Sequence, residues 1–80
     1  MPIAGVIILT AEKQSMQVLD QLGKIDNITT YGIHKDNNIV AVFEGDSPKE
    51  LEWLSKKIIK EVPGILGVYP AYVNYETGEE

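Results

Sequence analysis

The hydrophobic pattern opens with an unbroken apolar run, Ile3 to Thr10, which predicts a central β-strand covered on at least one face. Thr10 is placed to cap a following helix, with Glu12 in its first turn against the positive end of the helix dipole. Ser15, Val18, Leu19, Leu22 and Ile25 then recur at helical spacing, and Gly23 marks the end of that helix. Ile28 to His34 reads as a second strand, Lys35-Asp36-Asn37-Asn38 as a polar turn, and Ile39 to Glu44 as a third strand, so residues 28–44 form a β-hairpin. Ser47-Pro48-Lys49-Glu50 supplies an N-cap serine, a proline at the first helical position and a glutamate three residues after the cap. Leu51, Leu54, Ser55, Ile58 and Val62 fall on one stripe of the helix that follows, which Pro63-Gly64 stops. Ile65 to Tyr75 is the last strand, and residues 76–80 are expected to be a flexible acidic tail.

The order strand, helix, strand, strand, helix, strand predicts a single α+β domain of the ferredoxin-like βαββαβ type. Two interleaved crossovers give a four-stranded antiparallel sheet with both helices on one face. The first and third strands are then central and the fourth lies at an edge, a position that tolerates Pro70. Two helices cover only one side of such a sheet, so the other side meets water or a partner. Alternation places Ile39, Ala41 and Phe43 inside, because Glu44 has to avoid the core; Ala4, Val6 and Ile8 are their counterparts in the first strand. In the last strand Leu66, Val68 and Tyr72 are the expected inner set. The open face then carries Ile7, Leu9, Val40, Val42, Tyr69 and Val73, an apolar patch of the kind that marks an interaction surface, with Glu44 at its margin. Self-association into a homodimer through this face is the alternative use of the same patch. Trp53 lies opposite the buried stripe of the second helix, near Lys56, Lys57 and Lys60, either packed across lysine stems or free to anchor a contact.

Composition narrows the chemistry. The chain has 80 residues and no cysteine, which excludes a disulfide framework, thiolate metal sites and thiol catalysis. All seven basic residues are lysines against twelve acids, and a net charge of −5 argues against nucleic-acid binding. That charge favours encounter with a basic peptide, and it also serves solubility alone. The N-terminal stretch has no basic leader and is too short to cross a bilayer, so a cytoplasmic location without membrane insertion is expected. His34 is the sole histidine, so no metal site or catalytic triad is expected around it. No phosphate-binding glycine motif occurs. Among activities that this fold hosts, an acylphosphatase-like site lacks its arginine, a metallochaperone its cysteine pair, and an RNA-recognition face its basic and aromatic residues. The expectation is a binding protein with neither cofactor nor catalytic residues.

Several stretches carry a resemblance along almost the whole chain. Pro63-Gly64-Ile65-Leu66-Gly67-Val68 with Tyr72 and Glu76, and Asn38-Ile39-Val40-Ala41-Val42-Phe43-Glu44, are similar to the closing and third strands of the NapD family. The opening strand, Ile3 to Leu9, and Ile25 align without gaps. Tyr31 and Val73 stand where the family often has histidine, and Asp26-Asn27 replaces its usual Pro-Gly. The resemblance implies a cytoplasmic chaperone. Such a protein binds the twin-arginine signal peptide of the catalytic subunit of the periplasmic nitrate reductase and holds back export until the molybdenum cofactor is inserted. On that reading Ile7, Leu9, Val40, Val42, Tyr69 and Val73 meet the apolar part of the peptide and Glu44 meets its arginines. A second reading stays open, a stand-alone ligand-sensing or dimerisation domain resembling the effector domains of Lrp/AsnC regulators or ACT domains.

Overall fold

A computed structural model describes residues 2–74, with side chains described as far as residue 71. The elements follow the predicted order: β1 (Ile3–Thr10), α1 (Ser15–Leu22), β2 (Ile28–His34), β3 (Asn38–Glu44), α2 (Pro48–Glu61) and β4 (Ile65–Asn74). The strands form one antiparallel sheet in the order β2-β3-β1-β4. This is the ferredoxin-like arrangement, with β1 and β3 central.

Strict alternation in the two central strands builds the core. Ala4, Val6 and Ile8 of β1 and Ile39, Ala41 and Phe43 of β3 are buried, and the register sets them opposite one another: Ala4 with Phe43, Val6 with Ala41, Ile8 with Ile39. Val18 and Leu22 from α1 and Leu51, Leu54 and Ile58 from α2 close over this side of the sheet. Helix α2 is locally well specified. Ser47 Oγ accepts the Glu50 amide at 3.2 Å, Pro48 opens the helix, and the Glu50 carboxylate accepts the Asp46 amide. Such a cap contributes about 1 kcal/mol.

Helix α1 starts later than the sequence suggests. Its N-cap position is Gln14, with no side-chain cap, and Thr10 is the last residue of β1 rather than a cap. Glu12 therefore precedes the helix and does not sit in its first turn. The Thr10 hydroxyl is buried and meets Ser15 Oγ at 2.8 Å; Ser15 in turn donates to the Asp36 carbonyl, and the Thr10 amide donates to the Asn37 carbonyl at 2.8 Å. A buried hydroxyl without a partner is costly, so the threonine serves as a pin between the helix start and the β2–β3 turn. That turn carries left-handed φ at Lys35 and Asp36, 53° and 69°. Gly23 follows α1 as expected but keeps a right-handed φ of −64°, so no left-handed cap ends the helix.

The largest departure from simple alternation lies in β4. The register pairs Ile8 with Val68 and Leu9 with Gly67, then shifts so that Thr10 pairs with Ile65. Leu66 is the extra residue of this bulge. It is 63% exposed, whereas Ile65 is 9% exposed and enters the core. The sequence expectation that Leu66 points inward is thus corrected, while Val68 does pack against the core. A second shift falls between Gly5 and Val6, whose partners are Tyr72 and Pro70. The backbone register consequently sets Tyr72 opposite Gly5 of the open face and Val73 opposite Ala4 of the covered face, the reverse of the order that unbroken alternation predicts. The side chains of Tyr72 and Val73, and the whole of residues 75–80, including Tyr75 at the expected strand end and the expected tail, lie outside what the structure describes.

Candidate functional site

The helices occupy one side of the sheet, and the register builds the other side row by row. The middle row runs from Val40 across Ile7 to Tyr69. On the β2 side, Tyr31 and Gly32 together oppose Val40, because the β2–β3 register shifts between Thr30 and Ile33. Gly32 has φ +104°, and the bulge leaves Tyr31, which follows Thr29 on the open side, 66% exposed at the sheet margin. Two aliphatic side chains therefore lie between two tyrosines. On one side of this row Val42 pairs with Gly5 and Thr29; on the other, Leu9 pairs with Asn38 and Gly67. Ile3 pairs with Glu44 at the end of the face.

Ile7, Leu9, Val40 and Val42 are half-buried by their neighbours alone. Tyr69 is 55% exposed, and its ring lies back over Gly67: a Cβ built at Gly67 would stand 2.7 Å from the Tyr69 hydroxyl oxygen and 2.9 Å from Cζ. The absence of a side chain at Gly67 lets the ring lie close along the strand beside Leu9. Glu44 is exposed, and its backbone is anchored by the Asn27 side chain, which donates to the Glu44 carbonyl at 2.9 Å. No ion pair involves Glu44 among the described residues.

The structure thus brings Ile7, Leu9, Val40, Val42 and Tyr69 together on one open face with Glu44 at its edge. Val73 does not share that register. Tyr31 was not among the residues that sequence reasoning selected. Its signal was the Thr29-x-Tyr31 alternation, but the register of an edge strand was not fixed by any charged residue there.

Other surfaces offer less definite chemistry. A hollow of about 540 Å³ lies between the β1–α1 loop and the β2–β3 turn, lined by Glu12, Lys13, Ser15, Lys35 and their neighbours. His34 is exposed at the end of β2 opposite Asn38, and among the described residues no group of metal-ligating side chains converges. No described helix is long and apolar enough to cross a membrane.

Among known proteins, no curated protein and no solved structure matches the chain. The family model described as NapD protein matches residues 1–77. With that match over nearly its full length, and with the sheet and helices in the order set out above, the chain belongs to the NapD family, whose members take part in nitrate reductase maturation.

Proposed function

We propose that this protein is a cytoplasmic chaperone whose open sheet face holds the twin-arginine signal peptide of a nitrate reductase catalytic subunit and delays its export until the cofactor is in place. The observation that carries the reading is the continuous aliphatic surface of Ile7, Leu9, Val40 and Val42, which the chain's own helices leave uncovered. Twin-arginine signals join two cationic side chains to an apolar segment. The apolar segment removes aliphatic surface from water at about 25 cal/mol per Å², and the tyrosine rings at Tyr31 and Tyr69 widen the contact. Glu44 accepts from an arginine at the rim, where exposed charges govern encounter and partner choice more than tightness. Family membership supports the same assignment.

Calorimetric titration of the signal peptide tests it, with a lysine–lysine version as the control for the arginines. Val42→Glu sets a carboxylate beneath the apolar segment without entering the core. Its desolvation lowers affinity by about 100-fold or more while the circular dichroism spectrum is retained. Unchanged affinity in Val42→Glu removes the sheet face from the mechanism, and a concentration-dependent dimer that fails to bind peptide assigns the face to self-association.

A further inference from the structure

The sheet face leaves one conspicuous surface unused. On α2, Trp53 is 56% exposed, and it is the only tryptophan in the chain. At 100° per residue, Lys49, Lys56, Lys57 and Lys60 all project within about 60° of it around the helix axis. Lys57 Nζ stands 4.9 Å from the centre of the indole ring, and Lys49, Lys56 and Lys60 are exposed. Glu50, the one acid in the same arc, turns its carboxylate back onto the Asp46 amide as part of the cap. Glu52 and Glu61 flank the arc, and Glu52 lies 3.9 Å from Lys56. A chain of net charge −5 thus gathers four of its seven basic residues around one exposed indole.

We propose that this face of α2 is a peripheral docking surface for anionic phospholipid. Charge complementarity selects an anionic partner, and the residue types select lipid over protein. Lysine is depleted in protein–protein interfaces, whereas lysine stems around a tryptophan are the composition of a membrane-interface anchor. Two open hollows flank the indole, one of about 230 Å³ lined by Trp53, Lys56, Lys57, Lys60 and Glu61 and one of about 370 Å³ that reaches Lys24, Asp26 and Asn27. Because Leu51, Leu54 and Ile58 turn the other side of α2 toward the sheet, the lysine face points away from Ile7 and Val42. Both surfaces can be occupied at once, and the lipid contact stands independently of the peptide reading.

The full chain is titrated with vesicles of phosphatidylglycerol mixed with phosphatidylcholine, and with pure phosphatidylcholine vesicles, followed by co-sedimentation and by the emission of Trp53. Binding to the anionic vesicles with a blue shift is expected at low salt, and its loss at about 0.5 M salt. Each lysine near an anionic surface multiplies binding by about five. The double variant Lys56→Gln, Lys60→Gln therefore loses about 25-fold, and Lys56→Glu, Lys60→Glu, which reverses both charges, loses more. Val42→Glu binds vesicles as the unmodified chain does. Absence of binding, equal binding to uncharged vesicles, or full binding by both lysine variants overturns the proposal. A Trp53 shift with polyglutamate but not with vesicles also overturns it and assigns the face to an acidic polypeptide.

Discussion

The bulge at the start of β4 makes two adjacent residues trade places, and a pair of alanine substitutions reads this directly. Unbroken alternation back from Val68 would bury Leu66 and expose Ile65; the register does the opposite, with Ile65 9% and Leu66 63% exposed. Truncating a buried isoleucine to alanine costs about 2–5 kcal/mol, and Ile65, at the margin of the core, belongs at about 2–3 kcal/mol. Leu66→Ala removes side chain that is mostly in water and costs less than about 0.5 kcal/mol. A domain of this size has a total stability of about 4–12 kcal/mol, so Ile65→Ala removes a large share. Its melting temperature falls by about 10–20 °C, whereas Leu66→Ala stays within a few degrees of the unmodified protein. Urea denaturation followed by circular dichroism measures both, with similar slopes because neither change alters the surface exposed on unfolding. A greater loss in Leu66→Ala than in Ile65→Ala would refute the bulge and, with it, the placement of Ile65 and Leu66.

Gly64 precedes that strand with φ +100°, and a Cβ there would stand 2.6 Å from Gln14 Oε1 and 3.0 Å from Val18 Cγ2. Gly64→Ala therefore combines backbone strain with pressure on α1 and lowers stability by about 2–3 kcal/mol in denaturant titration; a neutral result would mean the turn has another conformation. Ser15→Ala removes the partner that joins the Thr10 hydroxyl to the Asp36 carbonyl. A loss of about 1–2 kcal/mol is expected, with faster amide exchange at Thr10, whose amide donates to the Asn37 carbonyl; unchanged exchange would show that the pin does not hold the turn.

The central strands and α2 were legible because their chemistry is unambiguous at each position. Glu44 at the end of an alternating run settles which side of β3 is inside, and the antiparallel pairing carries that decision to Ala4, Val6 and Ile8. Ser47, Pro48 and Glu50 state where α2 begins, and its bounds agree with that reading. The start of α1 was misread because a threonine hydroxyl serves equally as a cap and as a tertiary bond; only the approach of Ser15 and the β2–β3 turn decides between them. The margins of the candidate site were hidden for a related reason. Ile65 and Leu66 are both bulky and aliphatic, so no local preference tells which is the extra residue, and Tyr31 depends on a shift enabled by Gly32. The aliphatic centre of the face could be read from two strands alone, whereas its tyrosine rim needed the pairing of all four.

The irregularities that obscured the outer strands have a consequence for how the protein coexists with its neighbours in a crowded solution. A greasy, uncovered β-layer would ordinarily invite copies to stack into ordered aggregates, joined backbone to backbone along their outermost strands. Here β2 is broken opposite Val40, and β4 is broken twice and carries Pro70, which has no amide hydrogen to give. Neither border offers a straight row of donors and acceptors on which another strand can template. The molecule can leave its adhesive surface bare and waiting because its borders are unfit for polymer growth.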